Sequence, residues 1–253
     1  MTTIAASGAG EGGRGALAPT WAVLAALGAV AWAVTVPMAR SMGVGPGTMG
    51  TAFLVFLGGW VAMMAAMMLP GVGPAAARDL PAGTAVTAAW RMAGAVPFAL
   101  GFLGPWTVYG VAFFAALAAT GRLVDHAPDA AAALGVAILA VAGAYQLSPL
   151  KQQALTRCRS TALGRPGALA RVVSGAHEGA RCVGCCWALM AVLIAFGSMN
   201  LAAMAALAVV VFAEKVRSRP RPVSWAAGAV LLALAVAAAL DHSLLSGLTP
   251  MPM

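Results

Sequence analysis

From Trp21 onward the chain is a succession of apolar runs, each long enough to cross a bilayer and nearly free of ionisable side chains. Short stretches where glycine, proline and charge collect separate them. The runs are continuously apolar rather than alternating, which predicts helices and excludes the strands of a β-barrel. They fall at residues 21–37, 48–69, 92–119, 130–147 and 223–240. Pro70, Gly71, Gly73 and Pro74 are expected to close the second run, and Pro97, Gly101, Gly104 and Pro105 to kink or break the third.

The stretch 182–213 does not fit one simple span. A straight helix over 183–213 would be about 46 Å long against a hydrocarbon core of ~30 Å, yet two full spans need about 40 residues. Gly197, Ser198, Met199 and Asn200 read as a helix end followed by an N-cap, so two short helices with a break between them are predicted. The basic connections 148–181 and 214–222 then share one side, as the positive-inside rule prefers. The fold class is an all-α polytopic transmembrane bundle of about six or seven membrane helices, including a broken or re-entrant pair around Gly197–Asn200. Residues 1–18, rich in glycine, alanine and serine, are expected to form a disordered tail. Residues 19–253 form a single transmembrane domain whose first run reads as an uncleaved signal anchor.

Composition agrees: of 253 residues, 62% are hydrophobic and 9% charged, and mean hydropathy is +0.90. The net charge of +8 could suggest nucleic acid, so the placement of the bases decides. Lys151, Arg157, Arg159, Arg165, Arg171 and Arg181 occupy one connection, and Lys215, Arg217, Arg219 and Arg221 another. Both are juxtamembrane and neither interleaves aromatics, which argues against nucleic acid and for contact with anionic lipid headgroups. Positive-inside reasoning puts 148–181 and 214–222 on the cytoplasmic side of a multi-pass plasma-membrane protein.

Candidate chemistry gathers in sulfur. Cys182, Cys185 and Cys186 stand at i, i+3 and i+4, one face of a helix, and Met190 extends that face by a turn. Met63 with Met67, and Met64 with Met68, are i, i+4 pairs at the end of the second run; thioethers so spaced can hold Cu(I) or simply fill a core. Arg122, Asp125, His126 and Asp129 form a mixed-charge loop of the usual solvated kind. Asn200 is expected to cap the second short helix or line a cavity, and Glu214 to pair with Lys215 at the interface.

Three blocks carry a resemblance. They are Trp60-x-x-Met63-Met64-x-x-Met67-Met68-Leu69-Pro70; Tyr145-Gln146-Leu147-Ser148-Pro149-Leu150-Lys151 with Cys158-Arg159; and Cys182-x-x-Cys185-Cys186-Trp187-x-x-Met190 with Gly197-x-Met199-Asn200 and Glu214-Lys215. Over about 52–215 the chain resembles domain-of-unknown-function family 2182, bacterial inner-membrane proteins described as predicted metal-binding. The resemblance implies membrane location and a metal site, without a reaction. The chain departs from the family pattern at Ala154, where the family has a cysteine, which speaks against a fixed four-cysteine site.

The reading that follows places Cys158, Cys182, Cys185 and Cys186 together near the membrane surface, with His177, Met63, Met67 and Met190 deeper. Thiolate and thioether favour Cu(I), with zinc second, and imply a partner protein that gives or takes the metal. Two alternatives stay open: a thiol-redox protein using Cys182 and Cys185, and a membrane metalloenzyme drawing on His177, Glu178 or Glu214.

Overall fold

The apolar runs become helices because a backbone without water must satisfy its own hydrogen bonds. The structure is a computed structural model and describes residues 9–42, 45–48, 50–78, 88–159, 167–217 and 219–248. Every regular element among them is helical: α1 (Ala9–Met42), α2 (Phe53–Arg78), α3 (Ala88–Ala93), α4 (Ala95–His126), α5 (Pro128–Leu147), α6 (Pro149–Arg159), α7 (Ala168–Phe196), α8 (Leu201–Val216) and α9 (Arg221–Leu240), then a 3-10 turn at His242–Leu244. Six are long and apolar enough to cross a membrane, namely α1 from Pro19, α2, α4, α5, α7 and α9.

Several boundaries differ from the sequence expectation. Residues 1–8 lie outside the described residues, but α1 begins at Ala9, inside the stretch expected to be a disordered tail. Once a span is nucleated, extending it outward costs little. Pro70 and Pro74 sit inside α2 instead of ending it, and the Pro70 carbonyl accepts a hydrogen bond from Trp21 Nε1 of α1 at 2.8 Å. Pro105 likewise lies within an unbroken α4. The loop expected at 121–129 is mostly the last turn of α4, with Arg122, Asp125 and His126 at its end.

The largest correction concerns the basic connection 148–181. More than a link between spans, it contains α6 and the first half of α7, so the cysteines lie in the middle of a 29-residue helix rather than at the start of a short one. The reason is packing. Arg171, Gly175, Glu178, Gly179 and Cys182 are buried at helical spacing, giving this polar stretch a face to bury. That face meets α4: Gly175 lies on the Phe98 backbone and Gly179 on the Phe102 backbone, and a Cβ at either would collide with a carbonyl.

The break after α7 is as the sequence suggests. Gly197 has φ 89°, the left-handed conformation glycine favours, and Asn200 caps α8 with its side chain accepting from Ala203 N at 3.1 Å. At 16 residues α8 is about 24 Å long, short of the ~30 Å core. The C-terminal turn packs at the break, with Gly247 N bonded to Ala195 O at 3.0 Å and Ser246 Oγ to Phe196 O at 2.8 Å.

Two buried regions organise the bundle. Between α2 and α4, Trp60 packs on Phe113 with ring centroids 4.4 Å apart, stacks on Tyr109, and donates to the Trp106 carbonyl at 2.8 Å. The second region, where α6, α7 and α8 meet, is polar and sulfur-rich.

Candidate metal centre

Each helix at this second region contributes by its spacing. On α6, Lys151, Leu155 and Cys158 fall at i, i+4 and i+7 and are all buried. On α7, Cys182, Cys185 and Cys186 share the face that looks into the bundle, each no more than 1% exposed. On α8, adjacent Glu214 and Lys215 diverge to different partners.

The sulfurs of Cys158, Cys182 and Cys185 all lie within 4.8 Å of one another. Cys186 Sγ is 3.3 Å from Cys185 Sγ, and Cys185 also donates to the Cys182 carbonyl at 3.3 Å. All four thiols are free and buried. Lys215 Nζ donates to Cys182 Sγ at 3.0 Å and lies 5.5 Å from the centre of the Phe102 ring. An ammonium at that distance stabilises negative charge on sulfur, the form that binds a metal. Cys158, on α6, is held well above the ordinary thiol range, first by its hydrogen bond with Cys182 and then by burial.

Behind the thiols lies a buried ion pair. Glu214 Oε2 meets Lys151 Nζ at 2.7 Å with both side chains fully buried. Glu214 Oε1 also accepts from Gln146 Nε2 at 2.9 Å and Ser224 Oγ at 2.8 Å, and Lys151 donates to the Cys185 carbonyl at 2.8 Å. Burying two charges costs several kcal/mol for each ion, offset only where further hydrogen bonds complete the pair. Here they do, and they tie α5, α6, α8 and α9 to α7 around the sulfurs. Burial works against charge on Lys151, yet the Cys186 sulfur and the Glu214 carboxylate hold it above the ordinary lysine range.

The expected ligands therefore separate. The structure joins Cys158, Cys182 and Cys185, with Cys186 beside them. Met190 is buried one turn beyond Cys186. Met63 and Met67 are buried two turns and one turn from Gly71, the α2 residue beside the Lys215 side chain. His177 is not brought to the sulfurs and is exposed. Its neighbour Glu178 is, at 3.6 Å from Cys158 Sγ and 3.9 Å from the half-exposed Arg181. Asn200 serves as a helix cap, and Glu214 pairs with Lys151 rather than with its neighbour Lys215. Lys151 and Lys215 are the neighbours of the sulfurs that sequence reasoning passed over, whereas Glu178 was named there for the metalloenzyme alternative. The block Tyr145 to Lys151 held the signal for the first, since a lysine directly after Pro149 and Leu150 falls in the first turn of a new helix.

A compact set of thiols on a buried, cation-lined wall suits a soft metal. Comparison with known proteins agrees. No curated protein and no solved structure matches the chain. A family model does match, over residues 57–238, a span that runs from α2 into the last turn of α9 and encloses all four cysteines. Its description is PpoB2, copper chaperone, and the chain belongs to that family.

Proposed function

We propose that this protein holds Cu(I) as cargo between Cys158, Cys182 and Cys185 and passes it to a partner protein at the basic, cytoplasmic side of a bacterial inner membrane. The observation that carries the reading is the convergence of three buried sulfurs within 4.8 Å from two different helices. Cu(I) accepts two or three thiolates, and soft ligands select it over harder ions. One Cu(I) with three thiolates carries a net charge of about −2, which Lys215 partly neutralises in a region where an unpaired charge is costly. The basic segments 148–181 and 214–222 adjoin this end of the bundle, and positive-inside reasoning assigns them to the cytoplasm. There thiols stay reduced, as copper binding requires. Family 2182, to which the sequence blocks point, fits the same description of a membrane metal-binding protein.

The test is metal content. Protein purified anaerobically in detergent and loaded with Cu(I) is expected to retain about one ion per chain, read by elemental mass spectrometry. The variant Cys158→Ser, Cys182→Ser, Cys185→Ser is expected to lose it while keeping its helical circular dichroism. Equal copper in that variant places the cargo elsewhere, and zinc retained in preference to copper overturns the choice of metal.

The thiol-redox alternative, a Cys182 and Cys185 dithiol, is supported by the approach of those two sulfurs to within 4.8 Å. It requires catalytic turnover of a dithiol with no metal bound, so stoichiometric copper at these sulfurs rejects it.

A further inference from the structure

The outer faces of two helices beside the thiol site form a second feature. Between α6 and the start of α9 lies an open groove of about 1460 Å³. Its wall combines Arg157, Arg219 and Arg221 with Leu147, Pro222 and Trp225, and among the described residues no acidic one lines it. Arg219 and Arg221 have no carboxylate partner among the described residues. Gln152 Nε2, also in the wall, is buried without a hydrogen-bond partner.

We propose that this groove binds one anionic phospholipid. Charge and position both point to it. Arg219 and Arg221 sit where α9 begins and Arg157 near the end of α6, outside the spans and at the level of a membrane interface, and Trp225 at 55% and Leu147 at 41% exposure continue as an apolar wall toward the hydrocarbon. A headgroup phosphate lies against the arginines, and a chain runs along Trp225 and Leu147. The positive end of α9 adds to the attraction for the phosphate, and a glycerol ester oxygen can accept from Gln152. The groove exceeds the roughly 300–1,000 Å³ of ordinary small-molecule pockets, which suits a lipid better than a free phosphate.

The site lies on the reverse of the metal centre. Gln152, Gln153 and Thr156 line the groove, whereas Lys151, Leu155 and Cys158 of the same helix face the bundle interior. On α9, Arg221 and Trp225 line the groove, whereas Ser224 bonds Glu214. A bound lipid therefore braces α6, the helix that delivers Cys158, against the bundle.

The experiment compares full-length protein in neutral detergent with added phosphatidylglycerol, phosphatidylcholine or inorganic phosphate, by native mass spectrometry and thermal unfolding. Phosphatidylglycerol is expected to remain bound at one per chain and to raise Tm by about 3 °C or more over phosphatidylcholine. High salt is expected to weaken this. Arg219→Gln with Arg221→Gln is expected to reduce retention by about tenfold or more, the loss expected from removing two headgroup-binding arginines. Equal retention of both lipids by the wild type overturns the proposal, whether or not the variant folds. Inorganic phosphate reproducing the full Tm shift overturns it in favour of a phosphate site, and a polypeptide retained by the wild type and lost in the variant overturns it in favour of a protein-docking site. None of these readouts depends on copper.

Discussion

The two buried regions are built from opposite materials. Between α2 and α4, Trp60, Trp106, Tyr109 and Phe113 meet ring against ring, and the hydrogen bond from Trp60 to a carbonyl serves the packing. At the meeting of α6, α7 and α8, thiols and charged groups fill a similar position, tied to one another by specific bonds. Aromatic packing responds to substitution in proportion to the side-chain volume removed. A buried charge tolerates no loss of its partner. The first region is therefore graded in its response to substitution and the second is close to all-or-none, which is how apolar packing differs from a buried cluster of charges and thiols.

Glu214→Gln presses hardest on this contrast. It leaves Lys151 buried without its carboxylate and is expected to cost about 3–5 kcal/mol, read as a lower unfolding midpoint in detergent. A loss below about 1 kcal/mol, the range of a solvated surface pair, would make the contrast false. Lys215→Met comes next. Its aliphatic stem still packs beside Gly71, but Cys182 loses its cation, so Cu(I) affinity measured by competition with a chromophoric chelator is expected to fall about 10–100-fold with little change in stability. Lys215→Arg is expected to restore much of it. The smallest effect belongs to Met63→Leu with Met67→Leu, a nearly volume-conserving swap costing under about 1.5 kcal/mol for each residue, with copper content unchanged. A fall in copper content in that variant would extend the metal site along α2.

The sequence made the spans legible because an apolar run of about twenty residues has few solutions in a bilayer. It hid the first half of α7, since Ala168–Arg181 looks polar until α4 supplies the face for Gly175 and Gly179. The three α7 cysteines were readable from spacing, and Cys158 from the resemblance. Lys151 with Glu214 was not readable, because a contact 63 residues apart leaves no local trace. His177 was misplaced by helix phase. One residue is about 100° of rotation, which leaves Glu178 facing Cys158 and turns the imidazole away from the sulfurs.

The division of sulfurs between helices has one further consequence. Cys182 and Cys185 belong to a helix locked backbone-to-backbone against α4, whereas Cys158 rides on the 11-residue α6, outside the spans. Two-coordinate and three-coordinate sulfur are both natural to Cu(I). If these sulfurs hold Cu(I) as proposed, release would begin by withdrawing the Cys158 sulfur while the other two keep their grip, and an incoming thiol would take the vacated position before the ion is ever bare.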